Sequence, residues 1–151
     1  MPHKTRLDLD RFMPYRLSVL TNRMSSAIAR HYSDRFGLTI PQWRVIAVLG
    51  QTPGLTAREV ALRTAMDKVQ VSRAVSSLLS SKRLTRTAHA NDGRVAHLAL
   101  SPKGQAIYDQ VVPLALSLEE RFLSVLTAKE RENLDALVSK LSAGPTVLTG
   151  N

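Results

Sequence analysis

The sequence predicts a mainly helical α+β fold of about six helices and one two-stranded hairpin. Three observations predict it. Helix starts are marked by Thr39-x-x-Gln42, Thr56-x-x-Glu59, Asp67-x-x-Gln70 and Thr127-x-x-Glu130. In this pattern a cap side chain accepts from an orphan N–H and the residue three further on reaches back. Apolar residues recur every three or four positions except over Leu84–Leu100, where the period falls to two. Finally, Thr56–Gly104 runs as short helix, turn, polar-faced helix and hairpin, the order of a winged helix-turn-helix.

Taken in order, the first helix is expected from about Pro14 to Phe36, closed by Gly37, with Leu17, Leu20, Met24, Ala27, Ile28 and His31 as its apolar stripe. A second runs from Thr39/Pro41 to Leu49, and Gln51-Thr52-Pro53-Gly54 is a turn. Thr56 to Arg63 makes the third helix, and Asp67 to about Lys82 the fourth. Leu84, Arg86 and Ala88, then Val95, His97 and Ala99, alternate about Asn91-Asp92-Gly93 and predict a hairpin. Ser101-Pro102 opens a fifth helix to about Leu126, with a kink expected at Pro113. The sixth spans Ala128 to Leu141. Residues 1–13 and 142–151 are expected to be flexible ends. The first helix and the last two carry more apolar stripe than one small unit can cover, which predicts packing against a second copy.

At 151 residues the chain has room for one ordinary domain. Its net charge of +9 is uneven. Residues 56–104 hold nine Lys/Arg against three acids, whereas residues 105–151 hold four against six. A polyanion would meet the middle of the chain. The absence of cysteine excludes disulfides, thiolate chemistry and Cys-ligated zinc. His3, His31, His89 and His97 fall on different elements without metal-ligand spacing, so no metal site and no cofactor are expected. No nucleophile–base pair or phosphate-cradling Gly loop marks a catalytic residue, and an enzyme is not expected. The first ten residues lack the apolar run of a signal peptide, and no stretch reaches the length of a membrane span, so a cytoplasmic location without membrane contact is expected.

The fourth helix carries the sharpest signal. At about 100° per residue, Val71, Ala74, Val75 and Leu78 share one side, and Val69, Ser72, Arg73, Ser76 and Ser80 the other. Small hydroxyls let a backbone approach phosphates and base edges. Arg73 is placed to reach guanine O6/N7, with Gln70 and Ser72 as secondary base or phosphate contacts and Val69 against a thymine methyl. Lys68 sits in the first turn, where helix N–H groups favour a phosphate. At the wing, Asp92 and Arg94 flank Gly93, so the carboxylate can aim the guanidinium into a narrow minor groove. The predicted partner is double-stranded DNA.

These residues resemble the MarR family of bacterial transcription regulators over about residues 14–141. The resemblance rests on Gly37-Leu38-Thr39 with Gln42-Trp43, on Val69-Gln70-Val71-Ser72-Arg73-Ala74-Val75, and on Asp92-Gly93-Arg94 followed by Leu100-Ser101-Pro102-Lys103-Gly104. It implies dimerisation helices over 14–37 and 102–141 and a winged DNA-binding unit over 39–101. It also implies a homodimer on a pseudo-palindromic operator, most often a repressor of a catabolic or resistance operon, released by a small ligand that is frequently an aromatic acid. One departure stands out: the family usually has Gly just after the recognition helix, where this chain has Arg83. If a left-handed cap is kept there, Arg costs about 1 kcal/mol.

Candidate ligand residues follow from charge and from that resemblance. Arg16, Arg23 and Arg30 recur every seven residues along one edge of the first helix, and Arg44 follows Trp43 on the second. Such an edge suits an anionic aromatic ligand or an aromatic acyl-CoA thioester, whose phosphates need several bases. Tyr15-Arg16-Leu17-Ser18 and Trp43-Arg44 are similar to the branch that senses hydroxycinnamoyl-CoA thioesters. His31, within the apolar stripe, is either a core or dimer residue or a pocket residue. The rival reading is a sequence-indifferent architectural DNA-binding protein without a ligand, which would share the charge but need no long dimer platform.

Overall fold

A computed structural model describes residues 5–89 and 92–144; the side chains of His89 and of Asp92–Arg94 also lie outside what is described. Six helices and one two-stranded antiparallel sheet follow in order: α1 (Met13–Phe36), α2 (Ile40–Gln51), α3 (Ala57–Thr64), α4 (Lys68–Ser80), β1 (Leu84–His89), β2 (Asp92–Leu100), α5 (Pro102–Leu123) and α6 (Ala128–Ser142). A single 3-10 turn, Leu9–Arg11, precedes α1 within the stretch expected to be a flexible end. No helix among the described residues is long and apolar enough to cross a membrane.

The capping patterns set the starts. Thr39/Gln42, Thr56/Glu59 and Thr127/Glu130 form complete reciprocal boxes. Asp67 accepts from the Gln70 N–H at 2.8 Å. Ends differ from expectation by a few residues. α2 runs two residues past its predicted end at Leu49, to Gln51, and α5 stops at Leu123 rather than near Leu126. α5 runs through Pro113 as one helix.

The chain divides into two units at Leu116/Ser117. The first holds the core, which gathers Tyr32, Val45, Ile46, Leu49, Val60, Val71, Leu78, Leu84, Leu98, Ile107 and Val111 among others. The stripe of α1 corrects the sequence reading. Leu17, Leu20 and His31 are exposed, while Tyr32, one position on, is 1 % exposed. Ile28, Ala29, Tyr32 and Phe36, in the second half of α1, meet this core, whereas Leu17 and Leu20, nearer its start, do not. Gly37, at φ 63°, ends α1 in the left-handed conformation that glycine adopts without strain.

The hairpin pairs Leu84 with Leu100, Arg86 with Leu98 and Ala88 with Ala96, and its register shifts between Ala88 and His89. It is stitched to the turn before α3: Gly54 N donates to Leu98 O and Leu98 N to Leu55 O, both at 2.8 Å. His97 Nδ1 donates to Gly54 O, also at 2.8 Å. The base of the wing is thereby fixed to the helix-turn-helix.

The exit of α4 also departs from expectation. The left-handed residue is Lys82, at φ 60°, not Arg83. Lys82 N donates to Leu79 O at 3.0 Å and Arg83 N to Leu78 O at 2.8 Å, the paired bonds of a Schellman cap. The strain predicted for Arg83 therefore sits one residue earlier.

In the second unit, Arg131 grips the end of α5. Its Nη1 and Nη2 each donate to Glu120 at 2.9 Å, and its Nε to Leu123 O at 3.1 Å. The guanidinium holds the Glu120 carboxyl below its ordinary range, first through these hydrogen bonds.

Candidate nucleic-acid interface

α4 has two faces. Val71, Ala74, Val75 and Leu78 are buried. Lys68, Val69, Gln70, Ser72, Arg73, Ser76 and Ser80 are exposed, so the side read as polar from the sequence is the open one. α4 is also tied to α2 at the surface, where Gln42 Nε2 donates to the exposed Ser77 Oγ at 2.9 Å. Val69 is the informative member: a β-branched apolar residue left 58 % exposed at the tip of a helix that buries its other valines.

α3, α4 and β1 enclose a groove of about 410 Å³ with Ala61, Val71, Val75 and Leu79 on its floor. Lys68, Ser72 and Ser76 line it from α4, Arg58 from α3 and Arg86 from β1. Arg73, Val69 and Gln70 lie on α4 outside that lining. Sequence reasoning did not single out Arg58 and Arg86. Their signal was there, in basic residues of the helix-turn-helix and first strand, but which strand residue meets the helix depends on how the hairpin docks. Asp92 and Arg94, the predicted wing-tip contacts, have side chains outside the described residues.

Beside this face, Glu59 sits in the first turn of α3 with its carboxylate accepting from the Thr56 N–H at 2.8 Å. That bond, the largest influence on it, holds its carboxyl below the ordinary glutamate value.

The candidate ligand residues are not gathered in one place. Arg16 and Arg23 line one hollow on α1 together with Asp10 and Tyr15. Arg23 and Arg30 line a second, beside Asn22 and Ser26. Trp43 belongs to neither. Its ring is stacked between Tyr32 and Tyr108, with centroids 5.6 and 6.4 Å away. Arg44 approaches Tyr32 closely enough to act on its hydroxyl, whose pKa burial raises and Arg44 partly restores. His31 points away from the core as an exposed residue of α1.

This architecture has relatives. A MarR family model matches residues 36–95, the stretch from the end of α1 into the hairpin. The transcriptional regulator HosA of Escherichia coli O157:H7 is 31% identical over 115 residues, 75% of this chain and 84% of HosA. The chain belongs to the MarR family. It is accordingly a transcriptional regulator. Among solved structures, a MarR/EmrR family regulator from Acinetobacter sp. ADP1 superposes with TM-score 0.81 at 26% identity, covering 90% of this chain and 96% of that one. The Bordetella bronchiseptica regulator BpsR superposes at 0.80 with 22% identity, over 93% and 99%.

Proposed function

We propose that this MarR-family regulator is a homodimeric repressor of a catabolic or resistance operon. It reads a pseudo-palindromic duplex operator through α4 and the wing, and an anionic aromatic ligand releases it. The exposed face of α4 carries this reading: small hydroxyls around Arg73, beside a groove edged by Arg58, Lys68 and Arg86. Such a surface admits a phosphate backbone closely while one guanidinium reaches base edges. Lys68, Arg58 and Arg86 take phosphates, and Arg73 takes guanine. Gln70, Ser72 and Ser76 contribute secondary contacts and Val69 a thymine methyl. Asp92 and Arg94 act at the wing tip.

Two further features support the assembly and its release. Leu7, Leu9, Phe12, Met13, Leu17 and Leu20 are exposed around the start of α1, as are Leu134, Leu137, Val138 and Leu141 along α6. A second copy is the partner that covers such faces, with 14–37 and 102–141 as the dimerisation helices and 39–101 as the reading unit. For the ligand, Arg16 and Arg23 converge on one hollow beside Tyr15, and Arg30 extends the edge, an arrangement matched to the phosphates of an aromatic acyl-CoA. The DNA binding of the fold neighbour BpsR is regulated by 6-hydroxynicotinic acid. Trp43 and Arg44 would reach a free acid through the Tyr32 stack, and His31 a ligand at the α1 surface.

The test is a mobility-shift titration on DNA from the protein's own promoter region, with non-operator competitor and a panel of aromatic acids and their CoA thioesters. Arg73→Ala weakens operator binding by about 1–3 kcal/mol and relaxes one base position; Arg94→Ala weakens it through the wing and lowers the salt slope. If both variants bind like wild type, the reading face is misassigned. Release by a thioester but not its acid assigns the arginine edge, and release by the acid moves the site toward Trp43. Equal binding to operator and competitor would favour an architectural DNA-binding protein instead.

A further inference from the structure

We propose that Arg83 is a positioning residue that ties the end of α1 to the exit of α4 and the base of the wing, and so sets the angle at which the reading face is presented. The inference rests on the assignment of α4 as the reading helix. Three polar parts of Arg83 meet three different helix ends. Its N–H closes the cap of α4 on Leu78 O at 2.8 Å, and its carbonyl accepts from Ser101 N at 3.1 Å, at the start of α5. Its guanidinium Nη2 donates to Phe36 O at 2.6 Å, at the last residue of α1.

The carbonyls at a helix C-terminus lack intrahelical partners and carry the negative end of the helix dipole, so a guanidinium is the donor matched to them. The backbone cannot slide to accommodate something else. Ser101 Oγ donates to Lys82 O at 2.7 Å, and a Cβ on Gly104 would collide with Arg83 O. The site also carries a penalty that a neutral side chain would avoid: Arg83 Nε is buried with no hydrogen-bond partner among the described residues. A buried N–H left unpaired is unfavourable. An apolar side chain of similar length would fill the same space without that penalty. Among the described residues the guanidinium's hydrogen bond is made through Nη2, and its partner is the end of α1. The Arg83 side chain thus gives displacement of α1 a polar route to α4 and the wing, beside the apolar core that α1 and α4 share.

The experiment measures operator affinity, non-operator affinity and thermal midpoint for wild type, Arg83→Met, Arg83→Lys and, as a control on the reading face, Arg73→Ala. Arg83→Met is expected to lose roughly tenfold in operator affinity with its midpoint kept and non-operator binding changed less than about twofold, since a charge-assisted hydrogen bond is removed away from the DNA face. Arg83→Lys, which keeps a cation and a donor, recovers most of the loss. Wild-type operator affinity in folded Arg83→Met overturns the proposal, as does equal loss on operator and competitor. Should Arg83→Met not fold, Arg83→Gln, which keeps a polar side chain but not the cation, decides instead: a threefold or greater operator-specific loss at an unchanged midpoint supports the tether, and no loss overturns it. Wild-type binding by Arg73→Ala would instead show that the reading face is wrong.

Discussion

The winged unit and the ends of the chain handle apolar residues in opposite ways. Among the described residues, sixteen hydrophobic residues between Tyr32 and Val111 are buried in one core, whereas α6 buries none and α1 only Tyr32. Yet α6 and the start of α1 are not polar. Leu17 and Leu20 are about half exposed, and Leu137 and Leu141 more so. The difference teaches that the winged unit closes its core with the end of α1 and the first half of α5, and that the start of α1 and α6 are patterned for contact beyond that core.

The largest effect that can break this comparison lies in the core. Leu78, fully buried on α4, is expected to cost about 2–5 kcal/mol when changed to Ala, through lost transfer energy and the cavity left behind. Leu62, on α3 in the same unit, is 75% exposed and should cost under about 0.5 kcal/mol. Urea unfolding of both variants measures the contrast. Equal losses would mean that burial in one copy does not describe the working protein.

Next comes the outer surface. Leu20→Asp on α1 removes an apolar contact and inserts a charge in each of two copies. At about 1.5 kcal/mol or more per copy, the dimer dissociation constant should rise about 100-fold. Sedimentation velocity across a dilution series reads the shift, and the winged unit should keep its helical signal. Unchanged association would reassign the start of α1 to some other partner.

Most of this division was legible beforehand, for physical reasons that differ by element. The helix starts could be read because capping is local: Thr56 and Glu59 are three residues apart and satisfy each other wherever the helix lies. The open face of α4 could be read because one period governs both its sides. The errors occur where tertiary contact decides. His31 continues an apolar spacing, but α1 turns Tyr32 to the core, as α2 and α5 supply Trp43 and Tyr108 beside it. Trp43 reads as a candidate ligand residue, and its stacking between those rings depends on which helices pack together, which sequence spacing does not carry. Arg83 reads as a misplaced cap, because which residue takes the left-handed conformation depends on where α4 releases its last hydrogen bond. Arg58 and Arg86 were not singled out, since hairpin docking brings them to one groove.

A smaller effect tests the corrected cap. A left-handed conformation costs an L-residue roughly 1–2 kcal/mol, and glycine returns about 0.4–1 of that through its freer unfolded chain. Lys82→Gly should therefore stabilise the winged unit by about 0.5–1 kcal/mol, while Arg83→Gly should not. Paired denaturation curves check the sign, and stabilisation by Arg83→Gly alone would return the strain to position 83.

The smallest expected effect separates two caps within the winged unit. The box at α2 uses Gln42, which does not titrate, and the box at α3 uses Glu59, which does. Glu59 has its folded pKa lowered, mainly by the hydrogen bond from Thr56 N. A lowered carboxylate pKa means that the folded state holds the proton less tightly than the unfolded chain. The stabilisation is then present above the ordinary glutamate pKa and is lost as pH falls through the depressed folded value. Because the carboxylate is fully exposed, the effect is modest. Titration of the Glu59 side chain by NMR should give a midpoint below the ordinary glutamate range. Glu59→Gln, which copies the α2 box, should remove that share of the acid sensitivity and leave the helix start in place. An ordinary midpoint for Glu59 would mean that the box is open in solution, and that α3 starts on the Thr56 hydroxyl alone.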